Sequence, residues 1–214
     1  MNASLTAKAL CKVLLPQLQS QPSLCGLDVH ASPADREAIN ATIGKDCVLQ
    51  IRAQVFGPAS RRTYSATLGI AYPSIEPDYD ELWAIASRDS GDRYFPLACG
   101  LSELSDCPAT GFPGSEPDAV SILAKAIAKA IHEHVWPLRT LESVRAEFER
   151  GTSSRWYSLA ALENWLPVVL LREVGAQRAC ILAQEVLAKH GEAKSSRATA
   201  YRRFVANLEH RLEN

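Results

Sequence analysis

The densest run of chemistry-bearing side chains is Glu76-Pro77-Asp78-Tyr79-Asp80-Glu81-Leu82-Trp83, four carboxylates interleaved with two aromatic rings. Carboxylates at alternating positions suggest cation chelation, but the run lacks the glycine-centred twelve-residue loop of a calcium site. Acids mixed with rings suit a different task. The acids attract a basic protein surface over a distance, and the rings anchor it once water is expelled. A second run, His132-Glu133-His134, invites a metal reading. On a helix, residues two apart point roughly 200° apart, so both imidazoles cannot grip one ion. Nor is this the His-Glu-x-x-His spacing that places two rings on one face. Histidines at a helix C-terminus, favoured by the dipole, are the expectation here, and His190 before Gly191 reads the same way. His30 and His210 have no partner visible in the sequence.

Nucleophile and phosphate motifs are missing. There is no Gly-x-Ser-x-Gly elbow, no Gly-x-x-x-x-Gly-Lys loop and no Gly-x-Gly-x-x-Gly, so neither an α/β-hydrolase nor a nucleotide-binding fold is indicated. The expectation is therefore no catalytic set, no cofactor, no metal site and no enzymatic activity. Two alternatives stand beside it. One is a small hydrolase or transferase whose residues meet only in space. The other is a helical adaptor or chaperone using the hairpin Trp156–His190 as a groove.

Charge is unevenly distributed. The 214 residues carry 23 Lys+Arg and 24 Asp+Glu, a formal net charge of −1, which argues against a general nucleic-acid binder. From Tyr72 to Val120, however, ten acids face only Arg88 and Arg93, a local net of −8. The flanking segments are mildly basic. The expected partner-binding residues fall in the acidic segment: Glu76, Asp78, Tyr79, Asp80, Glu81, Trp83, Glu103 and Asp106. The expected partner is a protein with a basic surface, not nucleic acid and not a membrane, since no apolar run is long enough to span one.

Six cysteines (Cys11, Cys25, Cys47, Cys99, Cys107 and Cys180) are widely spaced, with no Cys-x-x-Cys. The N-terminal residues do not form a secretory signal, because Lys12 interrupts the stretch Leu10 to Leu15 and Pro16 follows it. A cytoplasmic protein with reduced, mostly core thiols is expected.

These residues need elements to position them. Ser4 is placed to cap a first helix to about Gln17, with Leu10, Val13, Leu14 and Gln17 at helical spacing. Residues 19 to 45 read as loop, with a short strand within Leu24 to His30. Cys47 to Phe56 alternates strictly, as does Arg62 to Tyr72, with the turn-like Gly57-Pro-Ala-Ser60 between them. This predicts an antiparallel hairpin burying Leu49, Ile51, Val55, Leu68 and Ile70, with Thr63, Ser65 and Thr67 on a wetter face. A third strand is expected at Tyr94 to Cys99, at an edge because of Pro96.

From Glu116 onward the pattern is helical. Val120, Leu123, Ala124, Ile127, Ile131 and Val135 form one stripe up to Pro137. Thr140 caps a helix ended by Gly151. A third helix from Ser153 or Ser154 carries Trp156, Leu159, Leu162, Trp165 and Leu166, and Pro167 should kink it or end it. A fourth runs from Ala176 to His190, and a fifth from about Ser196 carries Tyr201, Phe204, Val205, Leu208 and Leu212. The fold class is α+β: a small antiparallel sheet flanked by helices, with a helical C-terminal part. The expected organisation is an α+β domain over residues 1–150 and a helical extension over 151–214. Apolar helical stripes crowded into the C-terminal part lean toward a homodimer.

The order of elements carries a resemblance. A helix precedes a hairpin whose first strand is Cys47 to Phe56 and whose second ends in Gly69-Ile-Ala-Tyr72. A Cys99-centred segment and a long helix finishing in His134-Val-Trp-Pro-Leu138 follow. Over residues 5 to 150 this resembles small bacterial domains of unknown function found beside polymorphic toxins, and more broadly immunity proteins. The chain departs from that pattern in its acidic insert and its added C-terminal helices. The resemblance implies an immunity protein that neutralises a cognate toxin by protein–protein contact. A nuclease toxin suits the charge pattern, because nucleases present cationic surfaces to phosphate. No site residue carries over from the resemblance.

Overall fold

A computed structural model of the chain describes residues 5–85, 95–156, 159–190 and 195–213. In order they form α1 (Ala7–Gln19), β1 (Asp28–Ala31), β2 (Ala38–Ile43), β3 (Cys47–Phe56), β4 (Thr63–Ala71), α2 (Glu76–Leu82), β5 (Leu97–Gly100), the one-turn α3 (Leu101–Leu104), β6 (Phe112–Pro113), α4 (Ala119–Ala130), α5 (Leu141–Glu149), α6 (Leu159–Glu173), α7 (Ala176–His190) and α8 (Ser196–Glu213). The fold is α+β, with helices dominating the C-terminal part. The elements belong to two compact units, Met1–Ala71 with Phe95–Thr140, and Tyr72–Tyr94 with Leu141–Asn214. This division differs from the expected boundary at residue 150. Among the described residues, 72–85 belong with the C-terminal helices, and the second unit resumes at Leu141.

The first unit is built on an antiparallel sheet in the order β1-β2-β3-β4-β5, with β6 also paired to β4. The hairpin register sets Leu49 opposite Ile70 and Ile51 opposite Leu68. All four side chains are fully buried, each contributing about 1.5–3 kcal/mol. Val55 is only half-buried, toward the end of its strand. Strand β2 is an addition to the predicted elements. Its apolar alternation is only Ile39, Ala41, Ile43, too short to stand out, and pairing on both sides with β1 and β3 supplies what propensity does not. The wetter face expected on β4 is also corrected. Ser65 is buried against the Cys107 sulfur at 3.8 Å. At Gly69 the Phe95 ring lies so close that a Cβ would sit 2.9 Å from it. Small residues on that face of β4 thus accept a covering that alternation alone cannot reveal. Strand β5, preceded by Pro96, lies at the sheet edge as expected.

Helices α1 and α4 pack on each other and on the sheet. Ser4 lies outside the described residues, and α1 is capped by Thr6, whose Oγ1 accepts from the Ala9 amide at 3.3 Å. Leu10, Cys11, Leu14 and Leu18 face inward, while Val13 and Gln17 do not. On α4, Leu123, Ala124 and Ile127 are buried. The stripe then continues through a π turn, Ile131–Val135, and a 3-10 turn, Trp136–Leu138.

In the second unit α6 packs on α5 and α7, and α8 packs on α7 and α2. Gly175, at φ +119°, reverses the chain between α6 and α7. Pro167 does not end α6, which runs six residues further. A proline cannot donate to the carbonyl four residues back, here that of Glu163. That carbonyl accepts instead from the buried Tyr201 hydroxyl of α8 at 3.0 Å. On α8, Tyr201, Phe204, Val205 and Leu208 are buried as expected, and Leu212 is exposed. No described helix is long and apolar enough to cross a membrane.

Candidate functional site

Of the eight residues expected at a partner surface, six lie on or beside α2 in the second unit, and Glu103 and Asp106 lie in the first. Helix α2 begins with Pro77 in its first turn and with Glu76 and Asp78 near its positive end, where carboxylates are favoured. Its sequence then puts Asp78, Glu81 and Leu82 at helical spacing on adjoining faces.

Asp78 is buried, and its two oxygens are divided between two helices. Oδ1 accepts from Arg211 Nη1 of α8 at 2.8 Å, and Oδ2 accepts from Arg172 Nε of α6. Arg211 also donates to Glu81, from Nη2 to Oε2 and from Nε to Oε1 at 3.3 Å. Arg172 further donates to the Ser74 carbonyl at 3.4 Å. Partial burial disfavours the charged Arg211, but hydrogen bonds and attraction from Glu81 and Asp78 outweigh it and raise its pKa. The carboxylate expected to face a partner is therefore an internal clamp. It is the one buried acid of this helix.

The rings are half-buried and stack within the unit. Tyr79 stacks on Trp165 of α6 with centroids 3.9 Å apart and planes at 16°. Trp83 stacks on Phe204 of α8 at 4.7 Å and meets Tyr201 edge-on at 5.8 Å. Asn207 of α8 donates to the Leu82 carbonyl at 3.0 Å, satisfying the C-terminal end of α2. The Trp83 indole Nε1 is buried without a hydrogen-bond partner among the described residues. Tyr79 and Trp83, both half-buried, thus anchor α2 to its own unit. Isolated in a polar segment they read as exposed hot spots. Their partners in α6 and α8 are far away in sequence.

Three carboxylates of α2 reach the surface. Glu81 keeps 67% of its side chain exposed despite its arginine, and Asp80 and Glu76 are half-buried. In the first unit Asp106 is 97% exposed beside Lys129 Nζ at 3.3 Å. Glu103 is also exposed, and its Oε2 accepts from the Cys99 thiol at 3.4 Å. The acids Asp89 and Asp92 lie outside the described residues. No protein-family model, curated protein or solved structure matches the chain.

The histidine run lies on the π turn, with His132 exposed and His134 half-buried. Among the described residues no group of three or more His, Cys, Asp or Glu is arranged to hold a metal ion. All six cysteines are free, and all but Cys25 are buried. Sequence reasoning missed Arg172 and Arg211. Each sits in the last turn of its helix, where the dipole alone is enough to favour a cation.

Proposed function

We propose that this chain is a cytoplasmic immunity protein that binds and neutralises a cognate toxin with a cationic surface, such as a nuclease. The observation supporting this reading is the charge left on α2. Its seven residues carry four carboxylates, and the two arginines that clamp it balance half of them. The clamp fixes the helix, so Glu81 and its neighbours are presented on a rigid element at little entropic cost on binding. Such a surface steers a cationic partner and speeds its capture.

The test uses the purified full chain and the product of the gene adjacent to its own. Stopped-flow association is followed from low to high salt, alongside co-expression to score relief of toxicity. The proposal expects a complex, protection of the host cell, and an association rate that falls as salt rises. No complex with that product, or a complex without protection, overturns it.

A further inference from the structure

The first unit holds a cavity of about 440 Å³ between one face of α1 and the β1–β2 connection. Lys8, Cys11, Lys12 and Leu15 recur at helical spacing along that face, and Ala31, Ser32, Asp35, Arg36, Ala38 and Ile39 complete the lining. The volume falls within the range of pockets that take small molecules. Two kinds of surface meet in it. The floor is apolar, because Cys11, Ala38 and Ile39 are buried side chains of the core. Burial pushes the Cys11 thiol up, so it stays neutral. The rim is cationic, with Lys8, Lys12 and Arg36 all exposed.

The one carboxylate in the lining is already engaged. Asp35 Oδ2 accepts from Arg52 Nη2 at 2.7 Å, and its Oδ1 accepts from the Glu37 amide at 2.9 Å. Lys8, Lys12 and Arg36 form no ion pair among the described residues. Counting Arg52 and the nearby Glu37, four cations stand against two carboxylates. Lys8 also lies in the first turn of α1, where the helix dipole already makes the potential positive and a cation is disfavoured. A positive field concentrated over an apolar floor costs the free fold something, and an amphipathic anion relieves that cost.

We propose that this cavity is a binding site for a small organic anion, its charged head held by Lys8, Lys12 and Arg36 and its apolar body laid against Cys11, Leu15 and Ile39. The assignment is independent of the toxin-binding reading, which rests on the other unit.

The full chain is titrated with octyl phosphate, octanoate, octanol and inorganic phosphate, followed by amide chemical shifts and calorimetry. At least one of the two amphipathic anions binds, with shifts centred on Cys11, Leu15, Ala31 and Ile39. Octanol and inorganic phosphate each bind at least about tenfold more weakly, because each lacks one half of the recognition. The triple variant Lys8→Gln, Lys12→Gln, Arg36→Gln weakens the anion by about tenfold, as expected for three exposed pairs. If the triple variant melts early, Lys12→Gln alone replaces it and weakens binding by about two- to fivefold. Binding of neither anion overturns the proposal. So do shifts centred elsewhere, octanol or inorganic phosphate binding as tightly as the amphipathic anions, or unchanged affinity in the variants.

Discussion

Asp78 carries more structure than its place in an acidic run suggests. Replacing it with Asn keeps the shape but removes the charge that two guanidiniums share. Arg172 is half-exposed and its contribution is screened, so the loss expected for Asp78→Asn is about 1–3 kcal/mol. Glu81→Gln, at an exposed end of the same network, costs under about 1 kcal/mol. Urea unfolding of the two variants checks the order, and equal losses would remove Asp78 from its role as the clamp. Tyr201 gives a second prediction at this scale. Burial first, and then the Glu163 carboxylate, push its phenol well above the ordinary range. A raised folded pKa means that stability is fully present below the unfolded value, about 10, and is lost as pH rises above it. Tyr201→Phe orphans the Glu163 carbonyl and costs about 1–2 kcal/mol at pH 7. The wild type alone then loses stability through Tyr201 as pH rises from about 10 to 11, so the gap between the two proteins narrows by about 1 kcal/mol. Denaturant midpoints at the two pH values measure it, and a constant gap contradicts the assignment.

At the scale of elements, Pro167 and Tyr201 form one device. The proline withholds an amide from the Glu163 carbonyl, and α8 supplies a hydroxyl in its place. Pro167→Ala restores the helical donor, so Tyr201→Phe should cost about 1 kcal/mol less in that background than alone. A double-mutant cycle by urea unfolding reports this coupling, and additive losses contradict it. The same pair shows where sequence reading stops. Pro167 reads as a kink or a helix ending because its local effect is unfavourable, and only a side chain 34 residues downstream, across α7, repairs it. Strands β3 and β4 were legible because period-two alternation sustained over nine or ten residues fits a half-buried strand and does not fit a helix. Strand β2 was not, because Ala38, Ala41 and Asn40 carry little β propensity and its partners fix it. Helix α7 was legible to the residue from Gly175 and its apolar spacing. The acids of α2 were legible as a cluster, but their orientation was not. Local net charge can be counted along the chain, whereas Arg172 and Arg211 reach Asp78 from 94 and 133 residues away.

At the scale of the whole molecule, the exposed acids of the clamped helix α2 carry one proposed role, the capture of a cationic protein partner. Exposed single charges each contribute about 0.2–1 kcal/mol, so single neutralisations are poor probes and the field must be reversed at several positions. The most direct measurement is the association rate of the full chain with the product of the adjacent gene. It is compared between wild type and the variant Asp80→Lys, Glu81→Lys, whose fold is checked by urea unfolding. Complementary steering predicts a wild-type rate that falls with salt, and a variant that associates about tenfold more slowly at low salt and approaches the wild type at high salt. Salt-independent association, with the variant as fast as the wild type, would contradict the acidic surface as the route by which a partner is captured.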